Sequence, residues 1–272
     1  MSKLRLSVCI YLLLALLPLV AGLVYALAYS LGLTGVLSEG FTTKHWQNVL
    51  ADSALWSSLL LSMGVAISVL VAAAACALAA ALYFRPWLSG RWQAFGYLPL
   101  TLPPIAAAFW AFQLLGQGGM MARLLGSSTP SDFPELINDQ WHLGMVAALF
   151  MLTFPFMTLL FVAQVQASGL DSYLDVARTL GARAPQRLVR VAIPILLQRT
   201  RSVLILYGLM LVGAYEVPLL LGRQSPRMLS VLIAQKFRRF DLADIPEAYV
   251  LTCVYALIVL LTVQWLMRQR VL

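Results

Sequence analysis

Charge is scarce in this sequence. Only 11% of its 272 residues are Asp, Glu, Lys or Arg, where a soluble domain carries about a quarter. Those charges are clustered, and long stretches have none, which excludes an ordinary soluble globule. Histidine is scarcer still, with only His45 and His142 present. Hydrolysis inside a membrane needs a Ser–His pair, paired aspartates or a zinc motif. There is no His-Glu-x-x-His motif, and the apolar stretches hold no aspartate pair, so an embedded enzyme is unsupported. The three cysteines, Cys9, Cys76 and Cys253, fall singly in apolar runs without metal-site spacing and read as small buried packing residues. No Gly-x-x-x-x-Gly-Lys-Ser/Thr phosphate loop occurs; the run Gly116-Gln117-Gly118-Gly119 lacks the lysine. Any ATP hydrolysis therefore belongs to another chain, and no cofactor or metal is implied for this one.

Apolar residues make up 61% of the chain. Crossing the hydrocarbon core takes about 20 apolar residues in a helix, and six stretches meet or approach that length, at about 6–31, 54–83, 93–116, 142–165, 202–221 and 248–267. Backbone polar groups in lipid need internal partners, so such runs are helical. The expected fold is an all-α polytopic membrane protein with six transmembrane helices in one domain. Lys3 and Arg5 resemble the basic start of a signal peptide, but the following apolar run is too long for one. It is read as a first span. The alanine-rich stretch 71–82 is expected to pack on a neighbouring helix. Pro99, Pro103 and Pro104 break the third span, either as a structural kink or as part of a pathway.

Six spans put both termini on one side. With the N-terminus inside, 12 Lys and Arg lie in inner segments and 7 in outer ones. The only acids in the inner segments are Asp171 and Asp175. The positive-inside rule then makes both termini cytoplasmic. The net charge of +8 is a topology signal, with no nucleic-acid partner implied. His45 and Trp46 fall in the first outer loop at an interface depth. The second outer loop, 117–140, holds Gly118, Gly119, Pro130 and Pro134 and is turn-rich. It either touches an external partner or is simply solvated.

The longest inner loop, 166–201, is too polar to span yet has helical texture. Tyr173, Ala177 and Leu180 recur at helical spacing before Gly181. Gly181 suits a left-handed helix end, and Pro185 suits the start of the next helix. The expectation is a helix, a glycine turn and a second helix lying along the inner face, a shape that fits a groove on another protein.

That segment resembles the so-called EAA loop of binding-protein-dependent ABC importers of the type I permease class. The family pattern is Glu-Ala-Ala, three residues, Gly, nine residues, Ile-x-Leu-Pro. Here it reads Asp175-Val176-Ala177, three residues, Gly181, nine residues, Val191-Ala192-Ile193-Pro194. A second patch, Gly213-Ala214-Tyr215-Glu216-Val217-Pro218-Leu219-Leu220-Leu221-Gly222, is similar to the fifth-span signature of the polyamine, iron, thiamine and sulfate permease group. The stretch 241–248 resembles polyamine members.

The resemblance implies a permease subunit that forms half of a translocation path for a small solute. Its partners would be a cytoplasmic ATPase dimer, a second permease read as a different chain, a periplasmic or lipid-anchored solute-binding protein, and membrane lipids. ATPase coupling would fall on Asp175, Ala177, Gly181, Ala182, Arg187 and Pro194. Arg183, Arg187 and Arg190 would pair with acids on the motor or with anionic lipid. Polyamine, another small amine, ferric iron, an oxyanion and thiamine all stay open as solutes.

Glu216 is the only acid expected inside a span and is a functional candidate on that ground. With Tyr215 and Pro218 it would line the solute pathway or gate, or serve as a structural residue near a helix end. Segment 228–240 reads as a short helix at the outer surface or dipping into the mouth of the pathway, with Lys236, Arg238 and Arg239 snorkelling to lipid phosphates or meeting a binding protein. An ion-gradient-driven transporter or channel subunit would also explain the spans and Glu216, but not the spacing in the inner loop.

Overall fold

The computed structural model describes residues 2–36, 38, 40–84, 96–126 and 133–270, and the side chains of all of these except 2–10, 12 and 270. The inner turn at 85–91, Pro130, the expected start of the third span at 93–95 and the side chain of Cys9 lie outside what is described. Most of the described residues are helical, with no strands among them. In chain order the helices are α1 (Ser2–Ser30), α2 (Lys44–Ala51), α3 (Ser53–Tyr83), α4 (Pro104–Leu115), α5 (Met120–Leu124), α6 (Leu143–Ala167), α7 (Leu170–Thr179), α8 (Ala184–Arg187), α9 (Ile193–Val212), α10 (Glu216–Leu221), α11 (Leu229–Arg238) and α12 (Asp244–Arg270). A 3-10 turn, Leu98–Thr101, precedes α4, and a π-turn, Leu188–Ala192, joins α8 to α9.

Among the described residues five helical stretches are long and apolar enough to cross a membrane: Leu13–Ser30, Ser53–Tyr83, Leu143–Ala167, Ala184–Val212 and Asp244–Gln269. The third expected stretch is broken where its prolines fall. Its described part is a 3-10 turn, an extended step at Leu102 and Pro103, and the 12-residue α4. Pro99, Pro103 and Pro104 have no amide hydrogen and their rings crowd the preceding turn, so three of them within six residues disfavour a continuous helix there. The stretch expected as the fifth span is the later part of a longer continuous helical stretch, Ala184–Val212, which starts inside the segment expected to lie along the membrane face.

The chain divides into two compact units, residues 60–228 and residues 1–59 with 229–272. In the first, Ala73, Ala77 and Ala81 recur every fourth residue on one face of α3 and are buried. They share a core with Met157, Phe161 and Val165 of α6 and Leu196 of α9. Small side chains on α3 let large ones on its neighbours fill the space at close range. Cys76 lies off this face and is exposed, and Cys253 is only half-buried, which corrects the expectation that both are buried.

In the second unit α1, α2 and α11 each pack along α12. Val49, Leu55, Leu229, Leu232, Val250 and Leu251 form its buried core. Tyr249 meets Tyr25, Tyr29 and Phe237 in ring contacts 4.4–5.9 Å between centroids. Trp46 Nε1 donates to Ser30 Oγ at 3.2 Å, tying α2 to the end of α1. Segment 228–240 does form a short helix, α11, but Lys236 does not snorkel. It is 8% exposed, with Nζ 2.5 Å from Glu247 Oε2 and 3.6 Å from Asp244 Oδ1. Arg239 adds a bond to Asp244 Oδ2 at 3.2 Å. A lysine this buried requires a partner, and the first turn of α12 supplies two.

Candidate functional site

The residues singled out in 166–201 form a continuous run of specific backbone geometry. Gly169, at φ +63°, starts α7. Leu170 is fully buried, and Leu174 packs on the same core. Tyr173, Val176 and Leu180 are 51%, 60% and 81% exposed. At 100° per residue they form a second apolar stripe, roughly a quarter turn from the buried one. Tyr173 and Leu180, which helped to mark the helix in the sequence, thus face outward.

The helix closes with a Schellman turn. Gly181 N–H donates to the Arg178 carbonyl and Ala182 N–H to the Ala177 carbonyl, both at 3.0 Å, with Gly181 at φ +80°. This is the double bond pattern that satisfies the last carbonyls of a helix. The spacing from Ala177 through Gly181 to Ala182 is therefore the geometry of one cap. A Cβ at Gly181 would meet nothing within 4 Å. Glycine is needed there for its backbone angle, not for room within this chain.

The next helix starts at once. Arg183 N–H donates to Gln186 Oε1 at 2.9 Å, and Pro185 occupies the first turn, where no amide bond is required. Pro194 then falls inside the continuous stretch Ala184–Val212. Its ring crowds the carbonyl four residues back. The preceding turn widens to accommodate it, with Ile193 N–H donating to the Leu188 carbonyl. Pro194 thus marks where the polar segment becomes a spanning helix. Asp175 is exposed. Arg187 is half-buried, and its Nε has no partner among the described residues.

Two helix breaks share a cavity. After Val212 the chain leaves the helix at Gly213, Ala214 and Tyr215 and restarts at Glu216. Gly213 N–H donates to Leu209 and Ala214 N–H to Leu211, at 3.2 and 3.1 Å, which tightens the last turn of α9. Glu216 is thus not within a continuous span but is the first residue of α10. The proline break at 99–104 and this one both line a cavity of about 490 Å³, together with Leu149, Leu152 and Thr153 of α6. Irregular backbone is tolerated at membrane depth where it lines such a space. Among the described residues Glu216 is the only charged side chain of the lining, and Tyr215 and Tyr207 also reach it. Pro218 does not. It is buried in the first turn of α10, where its missing N–H goes unneeded.

Thr153 also lines the cavity. It is fully buried, and its Oγ1 has no hydrogen-bond partner among the described residues. Leaving a buried hydroxyl unpaired costs about 1–3 kcal/mol. Four other threonines in the long helices avoid that cost. Thr158, Thr200, Thr252 and Thr262 each donate to the carbonyl four residues back, at 2.8–2.9 Å.

Residues 73–269 match the family described as the binding-protein-dependent transport system inner membrane component. The chain belongs to this family. No curated protein matches it. It is accordingly a multi-pass ABC transporter permease subunit, and its family works with ATPase subunits and binding proteins. The match takes in the Schellman turn, the π-turn and both helix breaks.

Sequence reasoning did not find Thr153 in this permease. A lone threonine in an apolar helix ordinarily bonds its own backbone, and only the packed structure shows that this one does not. It also missed His142. This residue stands at φ +55° just before α6 and is buried, with no partner for Nδ1 among the described residues. Burial lowers its pKa below the ordinary 6.5, Asp139 opposes that shift, and Arg223 adds to it.

Proposed function

We propose that this permease forms half of the path of an ATP-driven importer for a small organic cation of polyamine type, and that its motor docks on 166–201. Both termini and this segment lie on the cytoplasmic side of a bacterial inner membrane, as the excess of inner Lys and Arg favours. ATP is hydrolysed on a separate subunit, two copies of which sit beneath the membrane. A second permease chain of different sequence completes the path. A periplasmic or lipid-anchored binding protein delivers the solute.

One observation carries the docking assignment: the exposed stripe of Tyr173, Val176 and Leu180, closed by the turn at Gly181 and followed directly by a spanning helix. An exposed apolar stripe on a short helix fits a groove on a partner. The unbroken stretch Ala184–Val212 gives motor movement a stiff route to the helix break beside Glu216. Asp175 and Arg187 flank the stripe as polar contacts. The cation preference is supported by Glu216 as the one charge of the described cavity lining.

The test is Gly181→Asp. Asp tolerates a left-handed backbone better than most residues, and the position opens on empty space. The variant is expected to reach the membrane folded but to lose co-purification with the ATPase. Retained co-purification at wild-type yield overturns the docking assignment.

A further inference from the structure

We propose that the C-terminal end of α4 and the loop at 135–138 form a binding site for a primary ammonium group, separate from the Glu216 cavity. The site has a space of its own, a cavity of about 350 Å³, at the small end of the range for ligand pockets. Gly116, Gly118 and Gly119 contribute main chain alone to its wall, and Gln113, Gln117, Glu135 and Asn138 contribute the polar residues. All four of these polar residues are exposed, so a ligand arriving from water can touch them.

Charge decides what this cavity takes. Among the described residues Glu135 is the only charged side chain of the lining, and it forms no ion pair there. The cavity also sits at the end of α4, where the last carbonyls lack intrahelical partners and the helix dipole is negative. Those carbonyls converge. A Cβ on Gly119 would lie no more than 3.1 Å from the carbonyl oxygens of Gln113, Leu114 and Gly116. The Gly116 and Gly119 amides are already spent, donating to the Phe112 and Gly116 carbonyls at 3.0 and 2.8 Å. Arg123 donates Nε to the Gly118 carbonyl at 3.2 Å but is not part of the lining. An anion would therefore meet a carboxylate and the negative end of a helix.

A divalent metal ion is a poorer fit than an ammonium group. Calcium takes about 6–8 oxygens, several of them from carboxylates. No group of three or more His, Cys, Asp or Glu side chains that could hold a metal occurs among the described residues. A primary ammonium needs one counter-charge and acceptors for three N–H donors. Glu135, the side-chain amides of Gln113, Gln117 and Asn138, and the α4 carbonyls supply both.

The position of the site gives it a use. α4 starts at Pro104, which lines the Glu216 cavity, and ends at this one. At 1.5 Å per residue Pro104 and Gln113 are roughly 14 Å apart. α10 packs along α4, and Asn138 N–H donates to the Leu221 carbonyl at the C-terminal end of α10, at 3.1 Å. The two cavities thus stand at opposite ends of one helix pair, each with a single carboxylate in its described lining. On the importer reading, on which this step rests, loop 117–140 faces outward, and the Glu135 site receives the cationic solute before Glu216 does.

The experiment uses the complete transporter in membranes, with its three native cysteines replaced by alanine and Ile137→Cys placed in the cavity lining. That thiol is reacted at neutral pH with the uncharged reagent methyl methanethiosulfonate, while n-propylammonium chloride, sodium propionate or sodium chloride is added at equal concentration. Propylammonium is expected to slow the reaction saturably, and the two sodium salts to leave it unchanged. Glu135→Gln, a change on an exposed side chain, should raise the concentration for half-protection about tenfold, the scale of a hydrogen bond to a charged group. Equal protection by either sodium salt, no protection by propylammonium, or protection indifferent to Glu135→Gln overturns the site. So does an introduced thiol that the reagent cannot reach. ATP-driven uptake of labelled putrescine, measured in the same membranes with the binding protein added, separates the site from the importer reading. Protection without uptake strikes that reading and leaves the site standing, whereas uptake without protection strikes the site alone.

Discussion

Ala182 N–H donates to the Ala177 carbonyl at 3.0 Å across Gly181. That bond fixes the direction in which the chain leaves α7, and through Pro185 it sets the start of the helix that runs on to Val212. Two positions of the sequence motif, Ala177 and Gly181, are thus joined with Ala182 by a single piece of backbone geometry. The motif's final residue, Pro194, acts one step later by widening the turn before the spanning helix.

The exposed stripe on α7 is expected to act through apolar contact. Leu180→Glu should leave permease abundance and helicity unchanged, because the side chain is 81% exposed and surface changes ordinarily shift stability by under about 0.5 kcal/mol. It should reduce ATPase association at least tenfold, read by pull-down from detergent extracts. Leu174→Glu serves as the contrast. Leu174 packs on the buried core, so that change should lower the yield of folded protein.

Lys236 and Glu247 should behave as a coupled pair. Lys236→Met strands a largely buried carboxylate and is expected to cost about 3 kcal/mol, the low end for breaking a buried pair, since Glu247 keeps some exposure. The double variant Lys236→Met with Glu247→Gln removes both charges and should regain most of that loss. Thermal denaturation of the purified permease complex measures both. Full additivity of the two changes would argue against coupling.

His142 gives the loop before α6 a pH dependence. Its folded pKa lies below the ordinary 6.5 because burial disfavours the charged ring. The unfolded state therefore binds a proton more readily, and stability falls as pH drops from about 6.5 towards the lowered folded value. Above that range the contribution is complete. His142→Gln should flatten this part of the profile, measured as melting temperature between pH 7.5 and 5. An unchanged slope in the variant would assign the pH dependence to other groups.

Much of segment 166–201 was legible in the sequence because it is local. A Schellman turn needs only glycine at one position and a helix on its N-terminal side, and both are visible at Gly181. The helix before it was equally visible, but the face it presents was not. Tyr173 and Leu180 look like core residues by spacing. It is the burial of Leu170 and Leu174 against α3, α6 and α9 side chains that turns them outward.

The sequence by itself determined that this chain is a bundle of membrane helices, because uncharged stretches of this length can satisfy their backbone only as helices. It also determined where the prolines break the third span and where the glycine turn falls. Tertiary structure alone decided the rest. The breaks at 99–104 and 213–215 face one cavity, Thr153 is buried beside it with a hydroxyl that has no partner among the described residues, and Lys236 turns inward to Glu247. These outcomes depend on which side chains meet across helices far apart in the chain. Local periodicity carries no record of such meetings, because a threonine or a lysine has the same helical preference whether its polar atom ends up paired or alone.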